Sequence, residues 1–230
     1  MLGIPDHDLS NAVRRLATAT LAGALVGLIW VGVVGRLAMR VIALLSPEAT
    51  GLASDDDFVI GKFTAAGTFN FAVFGLFVGV LGGLVYLALR GLRIGPHWFQ
   101  VLSLSLAPAL VAMQQLVDPN GVDFTVLQPV EASLLLFLLV TWGYTLTVGL
   151  LVERWLARGL LASAPRPVVV LALLPVLPLA PLVAVVAAGW LVLRLVGPVP
   201  ATGARVARGG LTVLFGFAVV DLARSVAQVV

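Results

Sequence analysis

The chain has 230 residues, 60% of them hydrophobic and only 11% charged, and its mean hydropathy is +1.11. That composition excludes a soluble domain, which needs far more charge to cover its surface. The net charge of +3 does not point to nucleic acid, because the basic residues sit singly or in pairs beside apolar runs, where they orient helices in a bilayer.

Cysteine is absent, so disulfides, thiolate nucleophiles and cysteine-held metals are excluded. The apolar runs predict an all-α fold: one transmembrane domain over residues 1–230, a polytopic helical bundle. Six spans are expected near 16–40, 66–89, 98–117, 132–152, 168–193 and 209–229, each near the 20 or so residues that cross a core of about 30 Å. The short alternating pattern of barrel strands is missing.

The first apolar run follows Arg14 and Arg15. A cleavable signal has an apolar core of about 7–15 residues, whereas Leu16 to Leu45 is interrupted only by Arg36 and Arg40. A retained first helix is expected, stopped at Ser46-Pro47, since proline disfavours helical geometry in the residue before it.

Within this helix Gly23 and Gly27 share a face, as do Gly75, Gly79 and Gly83 in the second span. Small residues at four-residue spacing let another backbone approach closely. The two helices are expected to pack tightly, through intramolecular contact or at an interface between copies.

Arg36 and Arg40 lie four residues apart and so share a helix face. About 20 residues of rise from Leu16 put Arg36 near the outer membrane boundary. Two readings stay open. The arginines snorkel to lipid headgroups, or they form an anion or substrate site at the outer mouth. The following connector carries Asp55, Asp56 and Asp57, then Lys62. Its contiguous carboxylates lack the alternating ligand spacing of a calcium loop, so no metal site is expected. The run reads as a solvated loop, as a helix N-terminus with favourable acids, or as a partner of Arg36 and Arg40 that seals or gates the outer end of the bundle.

Gly95-Pro96 separates the second and third spans, and Asp118-Pro119-Asn120-Gly121 is a strong turn signal after the third. Gln114, Gln115, Ser103 and Ser105 in the third span are expected to bond to neighbouring helices. The fifth segment carries Pro175, Pro178 and Pro181, each removing a backbone donor. It is either one kinked span or a re-entrant hairpin. In the last span Asp221 and Arg224, at i and i+3, are positioned to pair within the membrane.

Orientation follows from the basic residues near the helix ends. With the N-terminus inside, the cytoplasmic side receives Arg14, Arg15, Arg90, Arg93, Arg154, Arg158 and Arg166. The opposite side receives only Lys62, Arg194, Arg205 and Arg208. Both termini are therefore expected in the cytoplasm. A hairpin at the fifth segment would move the last three arginines across as well.

Enzyme signatures are missing: the two histidines, His7 and His97, lie in the tail and a connector, and no metal, nucleophile-elbow or phosphate-loop motif occurs. Neither catalysis nor a cofactor is expected. The run Gly35-Arg36-Leu37-Ala38-Met39-Arg40, then Ser46-Pro47-Glu48, then Gly61-Lys62-Phe63-Thr64 resembles uncharacterised multi-pass membrane proteins of actinobacteria, mainly over residues 27–90. The resemblance implies a bacterial plasma membrane location and carries no activity. Two functions remain open. One is a small transporter, channel or accessory permease subunit with Arg36, Arg40, Asp221 and Arg224 near the path. The other is a non-transporting structural or interaction protein whose glycine faces pack against itself or a membrane partner. The first predicts a polar cavity reaching those charges; the second predicts a filled bundle.

Overall fold

The computed structural model describes residues 6–53, 59–62, 64–90, 96–118, 121, 126–179, 181 and 201–229. The chain is an all-α bundle. It opens with α1 (Asp6–Gly27), a π-helical segment (Leu28–Val34) and α2 (Gly35–Leu45), which form one unbroken rod. Then come α3 (Ala65–Leu89), α4 (His97–Leu116), α5 (Val130–Ala157), the short α6 (Arg166–Leu173) and α7 (Ala201–Val229). Five of these helical stretches are long and apolar enough to cross a membrane. Among the described residues extended pairing is confined to one isolated bridge, Ala53 with Val59.

The rod is central. It packs on α3, α5 and α6, and 56% of its most apolar stretch is buried, against 6% for α7. Its N-terminal half contributes Ala19, Ala22 and Val26 to a core with Tyr144, Val148 and Val152 of α5. The helix ends where the sequence changes chemistry: Ser46 has left helical geometry, and Pro47 opens a short 3-10 turn.

The contact between α1 and α3 is made of backbone. A Cβ built on Gly75 would lie 2.7 Å from Gly27 O and 2.8 Å from Gly32 N. One built on Gly27 would lie 2.7 Å from Gly79 N, and one on Gly79 would lie 2.8 Å from Gly27 Cα. Gly83 faces Ala19 O and Gly23 in the same way. No side chain fits anywhere along this line, so the spacing of glycine in both helices sets how close they come.

Helix ends are tied by named side chains. Thr64 caps α3, its hydroxyl accepting from Gly67 N at 3.1 Å. α5 runs on to Ala157, past the sequence expectation of 152, and the chain turns at Gly159, whose φ of +59 suits glycine. Arg14 of α1 donates through Nη1 to the carbonyls of Leu161 (2.6 Å) and Ala164 (2.8 Å), holding the turn that follows. At the opposite end Ser46 and Gln128 exchange two bonds. Ser46 Oγ donates to Gln128 O at 2.5 Å and accepts from Gln128 N at 2.7 Å.

The proline-rich fifth segment breaks α-helical geometry at once. α6 gives way to 3-10 helix over Leu174–Leu179, because Pro175 and Pro178 lack the N–H an α-helix needs and crowd the preceding turn. Residues 182–200, where a single span and a hairpin would differ, lie outside the described residues. α7 begins at Ala201, eight residues before the expected span, and rests on α4.

The seam predicts a contrast between two glycine substitutions. Gly79→Ala, which meets backbone on the facing helix, should cost about 1–3 kcal/mol by overpacking. Gly216→Ala in α7, with nothing within 4 Å of its would-be Cβ, should cost nothing and gain up to about 1 kcal/mol in helix propensity. Reversible unfolding in mixed detergent micelles measures both.

Candidate functional site

The candidate site lies where the rod's π segment delivers its first arginine. Up to Gly27 the contact positions on α3 recur every four residues: Ala19, Gly23, Gly27. The next is Gly32, five residues on, whose would-be Cβ sits 3.2 Å from Ala72 Cα. Arg36 follows four residues later. From Gly27 to Arg36, nine α-helical residues would make about two and a half turns and set Arg36 on the far face. The wider π turns over Leu28–Val34 absorb the difference and bring it back to α3.

There Arg36 is 6% exposed. Its guanidinium carbon lies 5.7 Å from the centre of the buried Phe71 ring, within cation–π range, and its Nη2 sits beside Gly67 in the first turn of α3. Gly35 admits the edge of the same ring, 3.1 Å from its would-be Cβ. The π segment is also held from the other side, where Trp30 lies on Gly143 of α5.

Arg40, by contrast, is exposed. The two arginines share a stretch of helix but not an environment: Arg36 turns into the bundle rather than snorkelling to headgroups, while Arg40 lies on the surface. Lys62 is exposed on the following connector. That connector folds back on itself, Gly51 N donating to Ile60 O at 3.0 Å and Ile60 N to Leu52 O at 2.9 Å. Positive φ at Gly51 (+94) and Gly61 (+78) makes these reversals possible. Asp55, Asp56 and Asp57 lie outside the described residues, so their pairing with Arg36 and Arg40 does too.

The intramembrane acid has a different partner from the one the spacing predicts. Gln114 Nε2 of α4 donates to Asp221 Oδ2 at 2.8 Å, and Gln115 donates to Gln114 Oε1 at 2.8 Å. No ion pair joins Asp221 to Arg224, whose side chain is exposed. The reason is burial: Asp221 lies on the side of α7 that rests on α4, next to Leu222, which packs against Met113 and Val117. Gln114 is two residues from the end of α4, so the acid sits level with that helix end rather than in mid-bundle. Ser105 also bonds between helices, its hydroxyl accepting from Trp142 Nε1 at 3.2 Å and its carbonyl from Thr145 Oγ1 at 2.6 Å. Ser103 bonds within α4, to Gln100 O at 3.4 Å.

Sequence reasoning missed a second polar cluster at the arginine-rich end. Arg90, beyond α3, donates through Nε (2.7 Å) and Nη2 (3.0 Å) to the two oxygens of Glu153 on α5, a bidentate fork. Tyr86 Oη adds a bond to Glu153 at 3.1 Å. Beside it, between α3, α4 and α5, lies a cavity of about 70 Å³. Arg90 was legible as a topological charge, but nothing in sequence spacing links it to a carboxylate 63 positions away.

No protein family, no curated protein and no solved structure matches the chain. The fold defines it as a multi-pass helical membrane protein.

The different settings of the two arginines give a testable contrast. Arg36→Ala removes a buried cation from its aromatic seat and should cost at least about 2 kcal/mol. Arg40→Ala, at an exposed side chain, should cost no more than about 1 kcal/mol. Detergent unfolding of the two variants side by side measures the difference.

Proposed function

We propose that the chain is a non-transporting interaction protein: a rigid membrane scaffold that presents the Arg40 end of its first helix, and the connector carrying Lys62 that follows it in sequence, to a second copy or another membrane partner. One observation carries this reading. The seam below Arg36 is closed at backbone contact for three helical turns, and the cavity beside Glu153 is lined by neither Arg36, Arg40, Asp221 nor Arg224. A solute path to Arg36 between the first helix and α3 would have to open that seam.

The asymmetry of arginine argues for a bacterial plasma membrane protein with its N-terminus in the cytoplasm. The exposed end of α2 and its connector then face outward, where Arg40 and Lys62 meet a partner or anionic headgroups. Arg36 on its buried ring fixes the angle at which α2 leaves the bundle.

A small transporter or accessory permease subunit is the second reading. It is favoured by the π segment itself, since π turns inside α-helices recur at functional sites, and by the buried charge that the segment delivers.

Single cysteines in this cysteine-free chain separate the two. In proteoliposomes, an impermeant thiol reagent should label Arg40→Cys rapidly and Arg36→Cys at least about tenfold more slowly, with Thr20→Cys unlabelled. Equal labelling at 36 and 40, with reagent reaching position 20, would mean a water-filled path and would overturn the scaffold reading.

A further inference from the structure

We infer that the slot between α3, α4 and α5 seats part of one acyl chain of an anionic phospholipid, whose phosphate meets Arg90. The inference concerns the opposite end of the bundle from the proposed interaction site and stands apart from it.

The lining has two chemistries. Gln100, Tyr86 and Glu153 stand at the end nearest Arg90, while Val101, Leu104 and Leu146 line the part running toward the bundle interior, where Ser105 and Thr145 also line it but are engaged in the bonds between α4 and α5. α4 and α5 run in opposite directions, so rising numbers in one and falling numbers in the other both lead away from the charged rim. A ligand here needs a polar head and an apolar tail. The tail excludes free phosphate as the natural occupant.

Size narrows the choice. Small-molecule pockets run to about 300–1,000 Å³, and a dry cavity of about 150 Å³ holds one benzene. At about 70 Å³, this slot takes a few methylene groups and no drug-sized solute. Leu150 of its lining is 52% exposed, so it opens sideways onto the surface that lipid chains cover. A glycine builds its wall: a Cβ at Gly149 would lie 2.9 Å from Tyr86 Cε2, and its absence lets the Tyr86 ring lie across α5 and reach Glu153.

The charge at the rim is positive. Arg154 and Arg158 are exposed on the same end, and Glu153, the acid of the lining, is already engaged by Arg90. That fork uses Nε and Nη2, which leaves the Nη1 edge outside the pair and able to donate to a phosphate oxygen. Trp98, 64% exposed, and Trp155 stand within two residues of Gln100 and Glu153. They are the aromatic residues that settle at headgroup level.

The test uses the full chain purified in detergent, with bound lipid counted by native mass spectrometry. Phosphatidylglycerol should be retained about fivefold over phosphatidylcholine, the factor one cation near a lipid surface supports, and soluble glycerol phosphate should not displace it. Val101→Trp, which fills the slot, should abolish retention of both lipids. Leu104→Trp gives the same readout if Val101→Trp does not accumulate. The double variant Arg90→Gln/Glu153→Gln keeps the net charge and should retain both lipids equally. Equal retention of the two lipids by the parent chain, displacement by glycerol phosphate, or undiminished retention in the tryptophan variants would overturn the proposal.

Discussion

Two helices in a bilayer gain nothing by hiding apolar side chains from each other, because lipid tails are as apolar as leucine. What holds them is close packing, and here that packing is backbone against backbone. Gly23 and Gly27 on one side, and Gly75, Gly79 and Gly83 on the other, present no side chain of their own to the line of contact. The first helix thereby becomes the axis around which α3, α5 and α6 assemble. Arg14 at one end and Ser46 at the other fasten the connectors of α5 to that axis.

A seam of this kind also constrains what comes after it. Once the four-residue register is fixed through Gly27, an ordinary α-helix would carry Arg36 to the opposite face. The π segment resolves the conflict by widening the helix over Leu28–Val34, with Gly32 against Ala72 and Trp30 against Gly143 on either side of it. A single helix thus satisfies two demands: glycine contact below and a buried arginine above. The arginine then rests on Phe71 near the capped start of α3, while Arg40, one turn on, stays at the surface. Separate roles for two residues four apart follow from this local rewinding.

The sequence makes part of this legible. Hydropathy places α3 and α4 to within one residue at each end, whereas the rod, α5 and α7 run on into less apolar flanks, from Asp6, to Ala157 and from Ala201. Glycine spacing names the positions that meet. The rest depends on geometry that spacing cannot carry. A π turn has no residue signature in Leu28–Val34, so counting at 3.6 residues per turn misplaces Arg36. Asp221 finds Gln114, 107 positions away, because α7 turns that face to α4, and local i, i+3 logic therefore pairs it with the wrong residue. The fork between Arg90 and Glu153 is equally non-local. Counting arginines for topology treats Arg90 as a charge at a helix end and does not ask what it touches.

Cysteine cross-linking reads out the register shift that the π segment imposes on the rod against α3. The would-be Cβ of Gly32 lies 3.6 Å from Ala72 Cβ, within the usual disulfide range of about 3.5–4.5 Å. Under mild oxidation the pair Gly32→Cys/Ala72→Cys should therefore cross-link readily. The pair Val31→Cys/Phe71→Cys, which continues the four-residue register of Gly27 and Gly75 without a π turn, should cross-link slowly. Rapid cross-linking of 31 with 71 and none between 32 and 72 would mean an unbroken α-helix, with Arg36 turned away from α3.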